Sequence, residues 1–87
     1  MTQTPNQSNL IAEIEATGGY FDIRELADGT IIAKGGLMFT TAIYIGLDLY
    51  GWEKRFCFDN FALLESEFNK LKTGEDEPSG YIARRGG

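Results

Sequence analysis

The chain has 87 residues, of which 43% are hydrophobic, and its 13 acidic residues outnumber its 8 basic residues to give a net charge of -5. This length suits one small domain with a thin core, and the apolar content exceeds that of chains that stay disordered. Direct nucleic-acid binding is not expected, because it normally depends on a basic surface. The basic surface of a protein is the better-matched partner, with solubility as the alternative reason for the acidity.

Neither a membrane span nor a secretory signal is predicted. The longest apolar stretch, residues 37–47, contains threonine and glycine and is much shorter than the roughly 20 residues that cross a bilayer. Residues 1–9 are polar and include no basic residue, unlike a secretory signal. The single cysteine, Cys57, cannot form an internal disulfide and is typical of a reducing compartment. We therefore expect a cytoplasmic protein without membrane association.

The first predicted elements are a flexible N-terminal arm and a short helix. Residues 1–8 are rich in Thr, Gln and Asn, which predicts the arm. Ser8 or Asn9 then supplies an N-cap side chain, and apolar residues follow at helical spacing. Gly18 and Gly19 predict the end of this helix, since glycine readily adopts the left-handed cap conformation.

Four antiparallel strands are predicted after the helix. Alternation from Tyr20, a turn at residues 27–29 and a strand over 30–34 predict a hairpin. Alternation over residues 37–47 predicts one long strand with a core face and a mixed face. After a turn at Tyr50, residues 53–58 predict a strand whose aromatic side faces the core.

A second helix and an acidic-then-basic tail complete the predicted domain. Asp59 or Asn60 is the predicted N-cap, and Gly74 the predicted end. The predicted buried face consists of Phe61, Leu64, Phe68 and Leu71. Residues 75–87 predict either a short edge strand or a mobile tail. The fold class is therefore α+β, with one domain over residues 9–74: a four-stranded antiparallel meander flanked by an N-terminal and a C-terminal helix in two layers.

The residues do not favour catalysis, a metal or a cofactor. Histidine, the commonest general base and transition-metal ligand, is absent. Cys57 is interpreted as a small buried hydrophobic residue, because no histidine can activate its thiol. A structural zinc site needs about four Cys or His ligands, and this chain has one cysteine and no histidine. The acidic residues 75–77 lack the ligand spacing of a calcium loop. We expect a non-enzymatic protein without a cofactor.

We predict a partner-binding surface of exposed acidic and aromatic side chains. Carboxylates on the second helix and the tail would oppose lysine and arginine on the partner, and aromatic residues are frequent interface anchors. The predicted partner-binding residues are Glu65, Glu67, Glu75, Asp76, Glu77, Tyr50, Trp52 and Tyr81.

Two other modes of binding stay open from the sequence. An unpaired sheet edge, or the mixed face with Met38, Tyr44 and Gly46, would allow self-association into a homodimer or larger assembly. A local basic patch would allow nucleic-acid binding despite the net charge, and it would consist of Lys54, Arg55, Arg84 and Arg85.

The segment from Trp52 to Gly86 contains Arg-Phe-Cys-Phe at residues 55–58 before a helix, and Gly-Glu-Asp-Glu-Pro-Ser-Gly-Tyr-Ile at residues 74–82. In this segment the chain resembles small phage and prophage proteins. In size, acidity and compact α+β plan, the whole chain is similar to anti-CRISPR proteins, which mobile elements use to disable CRISPR-Cas complexes. These families are too diverse for binding residues to be transferred.

The resemblance implies a stoichiometric inhibitor of a host defence complex in the bacterial cytosol. It would either occlude the basic DNA-binding groove of a CRISPR-Cas effector subunit or block recruitment of a nuclease. Acidic side chains would then replace DNA phosphates against lysine and arginine. The alternative function is a self-associating structural or assembly protein of a phage.

Overall fold

The structure is a computed structural model that describes residues 7–86 as a five-stranded antiparallel sheet with two helices. In chain order the elements are α1 (Gln7–Thr17), β1 (Phe21–Glu25), β2 (Ile31–Gly36), β3 (Thr41–Ile45), β4 (Lys54–Phe58), α2 (Phe61–Lys70) and β5 (Ala83–Gly86). Strands adjacent in the chain are adjacent in the sheet. The predicted α+β class is confirmed, whereas the predicted four strands in two layers are wrong.

The fifth strand comes from the segment after α2. β5 pairs antiparallel with β4, with Ala83 opposite Cys57 and Arg85 opposite Arg55, and it lies at the edge of the sheet. The sequence of β5 is short and shows no apolar alternation. For this reason residues 75–87 were predicted to form either a short edge strand or a mobile tail. At the other end of the chain, residues 1–6 of the predicted arm lie outside the described residues, and α1 begins at Gln7.

The two helices pack on opposite faces of the sheet. The α2-side cluster consists of Ile32, Ile43, Ile45, Phe56, Phe58, Leu64, Phe68 and Leu71. The α1-side cluster consists of Ile14, Ile31, Ala33, Ala42, Tyr44, Leu47 and Cys57. Consecutive residues of β2, β3 and β4 thus alternate between two buried faces, which agrees with their nearly continuous apolar runs. The predicted mixed face of the third strand is wrong, since Tyr44 is only 6% exposed.

The predicted long strand over residues 37–47 is in fact a hairpin loop followed by a shorter strand. β3 spans Thr41–Ile45, and residues 37–40 form the loop that joins it to β2, closed by the Leu37 amide donating to the Thr40 carbonyl at 2.7 Å. The loop lacks the Asn-Gly or Asp-Gly pair that usually reveals a hairpin. Its apolar residues therefore continued the alternating pattern of the strand.

Local signals located the end of α1 and the start of α2. The predicted N-cap of α1 at Ser8 or Asn9 is wrong, because both residues lie within the helix, which begins at Gln7. Gly18 has φ 75°, as expected of a residue that ends α1. The Asn60 side chain accepts from the Leu63 amide at 3.0 Å, which confirms it as the N-cap of α2. The predicted end at Gly74 is wrong, because Leu71 is already extended. No helix within residues 7–86 is long and apolar enough to cross a membrane.

Candidate functional site

A buried lysine lies between the sheet and α2. The Lys34 side chain is 3% exposed, and its Nζ donates to Asp22 Oδ2 at 2.7 Å and to a Glu65 carboxylate oxygen. The ammonium lies 4.8 Å from the centre of the Phe68 ring. Arg24 extends this Lys34 cluster by donating from Nε and Nη2 to both carboxylate oxygens of Asp22, at 3.0 and 2.9 Å.

A bulge in β1 directs the Asp22 carboxylate toward Lys34. The pairing with β2 moves from Phe21 opposite Lys34 to Arg24 opposite Ile32, so the two strands lose their one-to-one register. Asp22 has φ 51°, a left-handed conformation that aspartate tolerates better than most residues. The bulge breaks the alternation predicted for this strand and re-aims one side chain.

The Lys34 cluster holds elements together and has no accessible nucleophile. Burial by itself would lower the pKa of Lys34, but hydrogen bonds to Asp22 and Glu65 outweigh it and raise that pKa. Hydrogen bonds from Arg24 and Lys34 lower the pKa of the Asp22 carboxyl. The lysine is therefore enclosed and charged, and the cluster connects β1, β2 and α2.

The two predicted acidic residues of α2 also make contacts within the chain. Glu65 pairs with Lys34, as described above. Glu67 accepts from the Ser79 amide at 2.8 Å and from Lys70 Nζ at 2.9 Å, and these bonds, the Ser79 bond foremost, lower its pKa. Glu67 is buried, with 8% of its surface exposed. These carboxylates attach α2 to β2 and to the segment that leads into β5.

Of the three predicted acidic residues in the tail, two have partners. One carboxylate oxygen of Asp76 accepts from the Lys72 amide at 2.8 Å. Glu77 pairs with Arg84 at 3.1 Å. Glu75 is exposed and makes no ion pair within residues 7–86. The acidic segment is thus a folded connection in which Glu75 is left to face solvent.

The three predicted aromatic residues have different environments. Tyr50 is 96% exposed in the β3–β4 turn. Trp52 packs edge-on against Tyr44, with ring centres 5.7 Å apart. Tyr81 packs against Phe56 at 5.1 Å. Tyr50 therefore presents its ring to solvent, whereas Trp52 and Tyr81 extend the two clusters at their margins.

The β2–β3 loop presents two highly exposed apolar side chains beside a groove. Met38 is 87% exposed and Phe39 is 90% exposed, and Leu37 and Phe61 flank them at 37% and 49%. We call these four residues the hairpin surface. They line a groove of about 240 Å³, together with the exposed Asp59. Phe61 was predicted to face the core, but it lies in the first turn of α2 at the rim of this groove.

The hairpin surface and the predicted acidic tail lie at opposite ends of the sheet. The loop at residues 37–40 precedes β3, whereas Tyr50 follows β3, so about 17 Å of strand separates them. The tail lies at the Tyr50 end, because the Gly74 amide donates to the Asp28 carboxylate in the β1–β2 turn at 2.8 Å. The chain therefore has two separate exposed regions.

The four residues of the predicted basic patch lie on both faces of the sheet. Lys54 and Arg84 lie on the α2 side and share the Glu77 carboxylate, at 3.5 and 3.1 Å. Arg55 and Arg85 lie opposite each other on the α1 side. The patch is thus divided into a pair that shares one carboxylate and a pair without a carboxylate partner among the described residues.

Sequence reasoning missed the hairpin surface and the Lys34 cluster. One signal for the first was available: an uninterrupted strand over residues 37–47 exceeds the usual length of about 5 or 6 residues. The Gly35-Gly36 pair just before it also suits the approach to a turn. The Lys34 cluster had no local signal, because Asp22 and Glu65 are distant from Lys34 in the chain.

Comparison with protein-family models, curated protein sequences and solved structures gave no match for this chain. Among the residues that the structure describes, no group of three or more His, Cys, Asp or Glu side chains is placed to hold a metal ion. The function of this chain is therefore inferred from the exposed surfaces described above.

Proposed function

We propose that this chain is a non-enzymatic binding protein that contacts a second protein through the hairpin surface. The observation that carries this proposal is the exposure of Met38 and Phe39, at 87% and 90%, beside the Phe61 ring. Large apolar side chains grouped on a surface are typical of interfaces, and aromatic residues dominate the energy of many of them. At this exposure Met38 and Phe39 bury little surface against the described residues, and contact with a partner would explain why they are apolar.

The groove beside the hairpin surface suits a partner with an apolar side chain next to a basic one. The apolar side chain would enter between Phe39 and Phe61, and the basic one would meet Asp59, which has no ion pair among the described residues. The net charge of -5 would speed association with a basic protein surface. Glu75 and Tyr50 would make a second contact if the partner extends to the other end of the sheet.

The specific function we propose is stoichiometric inhibition of a host defence complex in the bacterial cytosol, as by an anti-CRISPR protein of a phage or mobile element. Its support is the acidic composition, the small α+β domain and the resemblance described from the sequence. A CRISPR-Cas effector subunit offers the basic, DNA-binding surface that an acidic protein would fit.

The proposal is tested by expressing the chain in bacteria whose CRISPR-Cas system targets an infecting phage, across a panel of system types. In at least one system the chain should restore plaque formation to the level of a strain without Cas proteins. The double variant Met38→Ser/Phe39→Ser should lose this effect. Its free energy of unfolding should stay within about 0.5 kcal/mol of wild type, because both side chains are exposed.

The variant Tyr50→Ser tests which of the two exposed regions contacts the partner. If Tyr50→Ser abolishes inhibition and Met38→Ser/Phe39→Ser does not, the contact lies at the opposite end of β3 and the hairpin proposal is wrong. If no CRISPR-Cas system is affected, while the purified chain also leaves DNA binding by purified effectors unchanged, the inhibitor proposal is contradicted.

A second candidate function is that of a self-associating structural or assembly protein of a phage. The observation that favours it is that the sheet has two edge strands, β1 and β5, so that β5 of one copy would pair with β1 of another. Edge strands invite pairing with another chain. Sedimentation velocity should then show concentration-dependent dimers or larger species, and a monomer at the highest concentration reached would exclude this candidate.

A further inference from the structure

Arg55 and Arg85 form a cationic pair that the rest of the chain leaves uncompensated. Five of the eight lysine and arginine side chains form ion pairs with carboxylates, namely Arg24, Lys34, Lys54, Lys70 and Arg84. Arg55 and Arg85 are directly opposite each other on β4 and β5, yet neither has a carboxylate partner within the described part of the chain. Like charges directly opposite on neighbouring strands are destabilising.

The environment of Arg55 gives a second sign of a missing anion. Its guanidinium lies 5.2 Å from the centre of the Trp52 ring. Its Nε is the buried side-chain polar atom that finds no hydrogen-bond partner in the part of the chain described here. A buried donor without an acceptor is costly. This atom is itself enclosed, so a partner's carboxylate would compensate the charge of the guanidinium from the neighbouring position at Arg85.

The pair lies beside a sheet edge that is open to another strand. β5 pairs with β4 on one side, and no strand within residues 7–86 lies on its other side. α1 packs mainly against β1, at the far edge of the sheet. The α1-side surface near β5 is therefore accessible from the direction in which a sixth strand would approach.

Pairing of β5 with a second copy of itself is disfavoured by charge. In an antiparallel pair of two β5 strands, each register centred on Arg84 and Arg85 places arginine opposite arginine. Charged residues on an edge are a common means of preventing such self-association. An extended segment that carries carboxylates has the complementary charge.

We propose that β5 accepts an extended acidic segment of a partner protein as a sixth strand, with a carboxylate of that segment bound by Arg85 and Arg55. Main-chain hydrogen bonds to the edge would provide affinity, and alternate side chains would provide specificity, as in other cases of strand addition. Arg85 would face the added strand directly, and Arg55 would lie one strand further in. Arginine is well suited to this role because it binds carboxylates in a bidentate manner. This inference rests on the proposal that the chain binds a protein partner. It adds a contact with an acidic segment of that partner to the contact that the hairpin surface makes with an apolar and a basic side chain.

The test is a titration of the intact chain with a short synthetic peptide in which glutamate alternates with threonine or valine. The emission of Trp52, the single tryptophan, reports on Arg55 beside it. Backbone amide chemical shifts of residues 83–86 report on the edge itself. We expect saturable changes in both signals, and we expect no saturation with the matched peptide that has glutamine in place of glutamate.

Variants on the two faces of β5 provide the matched control. Arg85→Gln should weaken binding of the acidic peptide about tenfold, through loss of a charge-assisted hydrogen bond. Arg84→Gln alters the neighbouring residue on the α2 side and should have a much smaller effect. Urea unfolding of both variants establishes that they fold. Because the amide shifts detect strand addition in wild type, the test does not depend on the variants.

Several outcomes would overturn this inference. Equal binding of the glutamate and glutamine peptides would contradict the proposed carboxylate contact. Unchanged amide shifts at residues 83–86 would contradict strand addition at β5. Tighter saturation by oligothymidine or by inorganic phosphate would indicate a phosphate site instead. If the peptide fails to bind while Met38→Ser/Phe39→Ser still abolishes inhibition, only this inference is wrong. If the peptide binds but no defence system is inhibited, only the inhibitor proposal is wrong.

Discussion

At the scale of single residues, the chain places most of its charge in internal contacts. Lys34 is enclosed by Asp22, Glu65 and the Phe68 ring, and Glu67 accepts from a backbone amide and a lysine. A charge that is removed from water must be paired, because its desolvation is otherwise uncompensated. Glu65 and Glu67 were predicted to bind a partner, but their contacts within the chain contribute to the stability of the domain.

Lys34→Ala should lower the free energy of unfolding by about 2 to 3 kcal/mol. The variant leaves Glu65 without its cation and removes a packed side chain. Because the carboxylates of Asp22 and Glu65 are partly exposed, the loss of stability should be smaller than for a fully buried ion pair. Urea unfolding measures the change. Lys72→Ala is the control, since Lys72 is exposed and makes no side-chain ion pair within residues 7–86. Equal stability of both variants would show that the Lys34 cluster is dispensable.

Stability should fall in acid through Asp22 and Glu67. Both carboxyl groups have folded-state pKa values below the ordinary values of about 4. The stability that each contributes is therefore present above its ordinary pKa and is lost as the pH falls through the lower folded-state value. Lys34, whose pKa is raised, contributes stability that is lost only as the pH rises through its folded-state pKa in strong alkali.

Glu67→Gln isolates one of these contributions. Its melting temperature should be below that of wild type near neutral pH, and the two should converge at low pH, where Glu67 is protonated in wild type. Thermal unfolding followed by circular dichroism between about pH 2 and pH 7 measures both curves. Parallel curves would contradict a stabilising role for the Glu67 carboxylate.

At the scale of elements, the strands are defined by close packing on both faces. Gly35 lies against the Tyr44 ring, and a Cβ atom built on it would be 2.6 Å from Tyr44 Cε1 and 3.0 Å from the Gly19 carbonyl oxygen. At Gly36, by contrast, a Cβ atom would meet nothing within 4 Å. Two adjacent glycines of one strand thus have different roles, because they face opposite sides of the sheet.

Gly35→Ala should destabilise the domain by about 1 to 3 kcal/mol, the usual cost of overfilling a packed core. The matched variant Gly36→Ala should change the free energy of unfolding by about 0.5 kcal/mol or less. Urea unfolding of the two variants against wild type measures the difference. Similar values for both would mean that the Tyr44 ring moves aside without cost.

At the scale of the whole molecule, two clusters share one sheet. β2, β3 and β4 contribute alternate residues to the α1-side and α2-side clusters, so neither cluster can lose its strands without the other. A three-layer arrangement lets a chain of 87 residues bury both faces of its central strands. The cost is that little apolar material is left for β5, which remains an exposed edge.

The two clusters should unfold in a single transition. Trp52 borders the α1-side cluster, and far-ultraviolet circular dichroism reports on the whole backbone, including α2. Urea transitions followed by tryptophan fluorescence and by circular dichroism should superimpose, as expected of a small two-state domain. Transitions with separate midpoints would show that the faces unfold independently.

The sequence by itself determined the features that depend on near neighbours. Glycine at the end of α1 and Asn60 before α2 act through hydrogen bonds and dihedral preferences within one turn, so a linear pattern identifies them. The α+β class followed from the change between helical and alternating periods. Of the candidate site residues, Tyr50 was predicted to be exposed, and it is. The sequence did not indicate the hairpin surface.

Only the tertiary structure decided the features that depend on distant pairing. Lys34 meets Glu65, and Arg55 meets Arg85, through contacts between elements far apart in the chain. The exposure of Phe61 likewise depends on where the β2–β3 loop lies relative to α2, which no local pattern contains. The placement of a helix on each face, and hence which charges are enclosed and which remain at the edge, was fixed by packing between elements.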